Sequence, residues 1–276
     1  MRLGFVGLGV MGLPMCNNLA RKSGLPVASY DIRGSGSANS IAELCGQCDL
    51  VFLSLPGETQ IREVVAKIPR DKTVVDCSTA PVALARELAG RFAEFADAPV
   101  ARTRQAAAEG TLSITVGATK DLFEKLKPLL LCMASDVTHC GPPGAGQAVK
   151  LLNNLVLSTT VMALAEALAV AKASGAVEPK VLFEALARGS ADSFALRNHG
   201  MKALLPESHP ENAFPVTYMA KDLDYALALA RSAGLSLQGA ETVRRLLAET
   251  AALGLGDAYH TAILEAVRKH HESPDR

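Results

Sequence analysis

Three glycines and an aspartate near the amino terminus carry the first recognisable chemistry. Residues 4–12 read GFVGLGVMG, with Gly7, Gly9 and Gly12 in G-x-G-x-x-G spacing between a short apolar run and an amphipathic one. A strand turning sharply into a helix uses Gly7 for the turn, Gly9 to let backbone N–H groups approach a pyrophosphate, and Gly12 for close helix–strand packing. The positive end of the helix dipole adds to the attraction for phosphate. Leu8, Val10 and Met11 complete the loop that would cradle it. Asp31 ends the next apolar run, VASYD, where an acidic residue accepts the hydroxyls of the adenine ribose and repels a 2′-phosphate. NAD is therefore expected in preference to NADP. Arg33, two residues on, complicates that choice, because its planar fork can pair with a phosphate.

A second group lies in GQAVKLLNN, residues 146–154. Lys150 and Asn154 stand at i and i+4, on one face of any helix they occupy. A lysine on a largely apolar helix, desolvated and close to other cations, would have its pKa lowered toward neutrality. It could then take a hydroxyl proton as a hydride leaves and return it in the reverse direction. Asn154 would orient the amine and the substrate oxygen. The same spacing also suits a lysine that extends its ammonium to solvent.

These residues need particular elements to position them. Up to about residue 140, short apolar runs (RLGFVG, PVASYD, DLVFLSLP, KTVVDCST, GTLSITVG, ASDVTHC) alternate with amphipathic segments. A further short buried strand runs into DAPV. Strand–helix alternation implies a parallel sheet with helices on both faces. After GPPGAG, residues 141–146, no strand pattern remains. An Ala/Leu/Val-rich stretch free of Gly and Pro runs from residue 147 to 174, about 28 residues or about 42 Å of buried helix. Helices are expected near 178–188, 192–204, 215–233, 238–253 and 259–271, with a tail, HHESPDR, that frays. The expectation is a doubly wound α/β domain over residues 1–143, then a long interdomain helix and an all-helical domain over 144–276.

Composition narrows the function. The chain has 276 residues, 49% of them hydrophobic, with 28 basic and 28 acidic side chains. Zero net charge disfavours nucleic acid or an anionic membrane as partner. With no Trp and 4% aromatics, a base-stacking platform is not expected. Six scattered cysteines fit reduced core thiols and a cytoplasmic protein. Among them Cys45 and Cys48 form CGQC, which lacks a second ligand pair at zinc spacing, so no metal is expected. His139 reads as a satisfied polar residue. No apolar run is expected to reach membrane-spanning length.

Taken together, GFVGLGVMG, DAPV…GTL, GPPGAGQAVKLLNN and MAKDLDYAL resemble the β-hydroxyacid dehydrogenases, the family of 3-hydroxyisobutyrate dehydrogenase and tartronate semialdehyde reductase. The similarity spans nearly the whole chain. It implies a Rossmann-type dinucleotide domain, an active site in the cleft beside a helical domain, and a homodimer or homotetramer joined through the helical domains. It implies Lys150 as the catalytic lysine with Asn154 as its partner, and Lys221 as a lysine reaching the cofactor. Leu55 and Pro56 would lie along the dinucleotide and Ser78 and Thr79 near the nicotinamide ribose. Phe214 would line the substrate pocket.

The sequence departs from that family in three places. The stretch between Asp31 and Asp49 is short and Gly/Ser-rich, which clips the second helix. The proline of STAP stands one residue early. After DAPV the usual Ser-Gly-Gly is replaced by Ala101, Arg102 and Thr103. This run resembles the sulfolactaldehyde reductase branch, which presents an arginine to a sulfonate. Asn153 matches that branch too, whereas its serine position is Leu157, with Ser158 next to it. Arginine donates in pairs and suits a multi-oxygen anion. The alternative for Arg102 and Arg104 is a solvated pair, salt-bridged to Glu109.

The expected activity is hydride transfer between NAD and a small β-hydroxy acid or its semialdehyde. Lys150 would be acid/base, and Ala101, Arg102, Thr103, Asn153 and Phe214 would hold the small anionic substrate. A sulfolactaldehyde-type reductase is the alternative within the class. A dinucleotide sensor without catalysis is the alternative outside it.

Overall fold

The computed structural model describes residues 1–211 and 213–272. Of the tail, residues 273–276 lie outside the described residues. The chain divides into two compact units, Met1–Leu151 and Leu152–Arg276.

The first unit begins β1 (Leu3–Val6), α1 (Gly12–Ser23), β2 (Val27–Tyr30), α2 (Ile41–Gln47), β3 (Leu50–Leu53), α3 (Glu58–Val65), β4 (Thr73–Asp76), α4 (Val82–Arg91) and β5 (Glu94–Asp97). It continues β6 (Val100–Ala101), α5 (Arg104–Glu109), β7 (Leu112–Gly117), α6 (Lys120–Leu130), β8 (Ala134–Gly141) and the start of α7 (Ala145–Ser174). The strands form one eight-stranded sheet in the order β2-β1-β3-β4-β5-β7-β6, with β8 on β7.

Alternation along each strand explains both cores. Phe5, Phe52, Val75 and Ala96 point to the face covered by α1 and α6. Their neighbours Val6, Val51, Val74 and Phe95 point to the face covered by α2, α3 and α4. A strand buried on both faces reads as a continuous apolar run, which is why the strands were legible. Cys45 and Cys48 belong to the second core and are fully buried; burial pushes the Cys48 thiol up to about 11.

The sheet is parallel from β2 to β5. Beyond it, β7 is antiparallel to β5 and β6. The chain runs past the end of β5 through Pro99 into β6 before α5 turns it back, so its return lies antiparallel. Helix α6 then supplies the crossover for the parallel β7–β8 pair. The expected clipping of the second helix is observed: α2 has 7 residues.

Helix α7 has 30 residues. By length and composition it could cross a membrane, which corrects the expectation that no apolar run reaches that length. One side of it is packed: Val161, Leu164, Ala165 and Leu168 are buried, and so is the polar Asn154, which has a protein partner.

Among its described residues the regular elements of the second unit are helices joined by turns: the rest of α7, α8 (Pro179–Leu186), a π-helix (Leu196–Leu204), α9 (Val216–Ser232), α10 (Gln238–Thr250) with a π segment after it (Ala251–Leu255), a short 3-10 turn (His260–Ala262) and α11 (Ile263–Glu272). Among the described residues, an isolated backbone bridge joins Pro215 and Tyr259.

Candidate active site

The strand order reverses at β1, which has β2 on one side and β3 on the other. Ligands in open α/β sheets bind outside the carboxyl ends of the strands at such a point. Val6, Leu53, Asp76 and Asp97 are register partners at that edge, so the segments that follow them emerge side by side.

The glycine turn has the shape its sequence requires. Gly7 has φ +94°, and a Cβ there would lie 2.2 Å from Ser54 O. A Cβ on Gly12 would lie 1.9 Å from Gly7 O, whereas one on Gly9 meets nothing within 4 Å. Two glycines are thus fixed by packing, and the third leaves open the space a phosphate would fill. No side chain caps the amino terminus of α1, so its first-turn donors suit an anion. Beside this turn, Leu8 is buried, Met11 half-buried and Val10 exposed. Leu55 N donates to Ser78 Oγ at 2.9 Å, tying the Leu55–Pro56 segment to the Ser78–Thr79 segment.

Asp31 is buried and accepts from Leu8 N at 2.7 Å. Arg33 pairs with the same carboxylate through Nε at 2.8 Å and a terminal nitrogen at 3.1 Å, and also donates to Leu8 O. The Arg33 guanidinium holds the Asp31 carboxyl far below the usual carboxylate range. Arg33 itself remains 63% exposed, so part of the fork still faces solvent.

The first turns of α7 are bolted to the sheet edge. Asp97, fully buried, accepts from Gly144 N at 2.6 Å and Gln147 N at 2.7 Å. Burial nevertheless pushes its carboxyl up to about 6. Gln147 is also fully buried; its Oε1 accepts from Ala80 N at 3.0 Å and its Nε2 donates to Ser78 O at 2.7 Å. Lys150 follows on the same helix and is half-buried.

In the second unit a polar chain runs through the helices. Asn153 Nδ2 donates to Asn154 Oδ1 at 3.1 Å, and Asn154 Nδ2 donates to Asp222 Oδ2 at 2.7 Å. Lys221 Nζ lies 2.9 Å from the other carboxylate oxygen, out of line for a hydrogen bond, and 5.0 Å from the Tyr225 ring centroid. Phe214 meets Tyr218 and His260 edge-on. Sequence reading missed Asp222, Asp97 and Gln147, although all three lie inside the motif stretches it singled out.

The run after DAPV has local work to do. Thr103 caps α5, its hydroxyl accepting from Ala106 N at 3.2 Å. Ala101 pairs with Ser113 across β6 and β7. Arg102 has φ +86°, a conformation in which glycine is at ease. Its guanidinium donates to Thr111 O and Ser135 Oγ at 2.6 Å each and to Asp136 at 2.5 Å. Glu109 pairs with Gln105 instead, and Arg104 is exposed at the start of α5. Ser158 Oγ donates back to Leu155 O within its own helix. His139 donates to Ala118 O at 2.9 Å and stacks on Phe123.

Comparison with known proteins gives matches over nearly the whole chain. Residues 2–141 match the family model for the NAD binding domain of 6-phosphogluconate dehydrogenase. Residues 144–267 match that for NAD-binding of NADP-dependent 3-hydroxyisobutyrate dehydrogenase. The chain is 33% identical to 2-hydroxy-3-oxopropionate reductase of Escherichia coli over 97% of both chains. It is 33% identical to mitochondrial 3-hydroxyisobutyrate dehydrogenase of Mus musculus, over 81% of this chain and 74% of that one. Its backbone superposes with a TM-score of 0.86 on 3-hydroxyisobutyrate dehydrogenase of Mycobacterium tuberculosis solved with L-serine, at 27% identity, covering 97% of this chain and all of the other.

Proposed function

Because the chain belongs to the β-hydroxyacid dehydrogenase family, we propose that it interconverts a small β-hydroxy acid and its oxidised form, with NAD as the dinucleotide. The dinucleotide, when bound, takes up or gives back the hydride. The protein's own residues do the rest. The turn at residues 7–12, Leu55, Pro56 and Thr79 hold the dinucleotide along the carboxyl edge of the sheet. Lys150 takes the hydroxyl proton in oxidation and returns it in reduction. Asn154 orients the reacting oxygen, and the acceptor-only carboxylate of Asp222 fixes which end of that amide donates. Lys221 carries the positive charge beside Asp222.

The observation that carries this reading is the buried Asn154–Asp222 hydrogen bond, extended by the exposed Asn153, on and beside the helix that bears Lys150. Burying the Asn154 amide and the Asp222 carboxylate costs stability, and packing alone gives no reason for it. Asp31 supports NAD, since a 2′-phosphate would meet its carboxylate. Arg33 supports a second reading, in which NADP is also accepted, because its fork beside Asp31 is 63% exposed and a guanidinium can pair with a phosphate.

A carboxylate is the favoured anion on the substrate. The Arg102 guanidinium is engaged by Asp136, Ser135 and Thr111, and Ser158 by its own helix, which leaves the sulfonate reading without its charged donor and with Asn153 and Thr103 alone. Ala101, Thr103, Asn153 and Phe214 are proposed as the substrate contacts. The enzyme is proposed to be a soluble cytoplasmic homodimer or homotetramer. Its support is the stripe of Leu152, Val156 and Val170 on α7, 48%, 61% and 61% exposed, which a second copy would cover.

The test is NAD reduction against a panel of small hydroxy acids and hydroxysulfonates, with wild type and Lys150→Ala. Turnover on a β-hydroxy acid, lost by about 10²–10⁴-fold in Lys150→Ala with NADH binding retained, is expected. No turnover on any member of the panel would favour the sensor reading, and turnover kept by Lys150→Ala would remove Lys150 from the mechanism.

A further inference from the structure

Gln147 stands between two parts of the proposed site. The turn between β4 and α4, residues 77–81, belongs to no regular element. Ser78 O and Ala80 N, on either side of Thr79, are the backbone groups that Gln147 takes up, one with each end of its amide. No other single side chain among the described residues both donates to and accepts from that turn. Gln147 is fully buried, so water offers these groups no substitute.

The helix that supplies Gln147 has little freedom of its own. Its first turn donates to Asp97 through Gly144 N and Gln147 N. Thr115 Oγ1 donates to Gly146 O at 3.1 Å. A Cβ on Gly146 would lie 2.5 Å from Thr115 O and 2.8 Å from Gly117 N, so the helix is pressed directly on the sheet. One turn after this anchorage comes Lys150.

We infer that Gln147 is a positioning residue: its amide ties the turn bearing Thr79 to the helix bearing Lys150, so that the group meeting the dinucleotide and the group moving the proton keep a fixed separation. This rests on the roles proposed above for Thr79 and Lys150. Hydride and proton transfer must be aligned on one substrate carbon and its oxygen, and misplacement by about 1 Å costs about 10²-fold in rate. A glutamine suits the task because it is neutral, so it holds a donor and an acceptor without burying a charge.

Two substitutions test it, measured well below each variant's melting temperature and alongside Lys150→Ala. Gln147→Met keeps the volume and loses both hydrogen bonds. It is expected to lower kcat by about 10–100-fold at saturating substrate and cofactor, with substrate KM changed by less than about threefold. Gln147→Glu is the sharper probe. Its ionised form keeps the bond from Ala80 N but cannot donate to Ser78 O, whereas its protonated form replaces glutamine at both. The ratio of its kcat to that of wild type is therefore expected to rise at least about fivefold from about pH 8 to about pH 5.5, since burial raises the pKa of a carboxyl. The carboxylates bonded to the same segments, Asp97 at Gln147 N and Asp76 at Ser78 N, and Lys150 titrate in every Gln147 variant, so the kcat ratio of the uncharged Gln147→Met to wild type, taken over the same pH range, is the baseline from which the rise is read. A purely structural lock would lower the melting temperature and leave this ratio flat; a flat ratio, or a Gln147→Met kcat within about twofold of wild type, overturns the inference. Should Gln147→Met not fold, the Glu variant alone decides. If Lys150→Ala keeps turnover, it is the underlying reading that fails, and the two failures are told apart.

Discussion

Asn154 and Asp222 lie 68 positions apart in the chain, yet their side chains are joined by a buried hydrogen bond of 2.7 Å. The bond makes Asn154 a donor toward α9 and leaves its oxygen to Asn153. Asp222→Ala is expected to destabilise the protein by about 1–3 kcal/mol, because a buried amide loses its acceptor. Turnover should fall with it, and NADH binding should hold. Asp222→Asn can still accept from Asn154 and should recover most of the stability in urea unfolding. If it instead loses as much stability as the Ala variant, the charge beside Lys221 matters more than the hydrogen bond.

Arg102 offers a test of how the substrate's acidic end is read. A left-handed conformation costs a residue with a Cβ about 1–2 kcal/mol. The ion pair with Asp136 is roughly half exposed on both sides, and such pairs contribute about 0–1 kcal/mol. Arg102→Gly should therefore leave the melting temperature unchanged or raise it. Activity on hydroxy carboxylates should stay within about threefold, because the guanidinium is already engaged by Asp136, Ser135 and Thr111. A KM increase of tenfold or more would show that Arg102 leaves Asp136 to bind the substrate.

The proposed preference for NAD is tested at the Asp31–Arg33 pair. Removing the carboxylate in Asp31→Ser takes away the group that repels a 2′-phosphate and frees Arg33 to meet one. The ratio of kcat/KM for NADP to that for NAD should rise at least about tenfold, a change of about 1.4 kcal/mol in relative transition-state binding. NADPH fluorescence titration should show the same shift in Kd. No shift in either measurement would mean that discrimination lies elsewhere.

Much of this fold was legible because its signals are local. The glycine turn follows β1 and opens α1, the strands read as apolar runs because both faces are buried, and α7 lacks Gly and Pro after Gly146. Helix α5 was overlooked although Thr103 and Gly110 bracket it with a cap and a left-handed stop. The partners were not legible. Nothing in the sequence around Arg102 points to Asp136, or around Asn154 to Asp222, since those pairs form only when distant elements dock. Register patterns mark an element's buried face, but they do not say which buried polar group meets which.

The second unit carries a cluster that should make it sensitive to acid. His199, His209 and His260 are each buried or half-buried, and in each the Nε2 atom has no hydrogen-bond partner among the described residues. His199 Nδ1 meets the Tyr259 hydroxyl and His209 Nδ1 meets Thr261 Oγ1. Burial lowers the pKa of His199 to about 4 and that of His260 to about 3, from 6.5, and lowers that of His209 as well. Lys202 beside His199, and Arg268 beside His209, push the same way, whereas Glu265 opposes at His209. A histidine with a depressed folded pKa binds protons more readily when unfolded, so stability is full above about pH 6.5 and falls as pH drops, by up to about 1.4 kcal/mol per pH unit per group. Asp97 acts with the opposite sign in the first unit: its raised pKa means that folding favours the protonated form, so its contribution grows as pH falls from about 6 toward 3.8. Three histidines outweigh one carboxyl between about pH 6.5 and about pH 5, and net stability should decline there. Urea unfolding at several pH values checks this. His260→Phe, which fills the site without a titrating nitrogen, should flatten the decline, and Asp97→Asn should steepen it. An unchanged slope in both variants would place the pH dependence outside these groups.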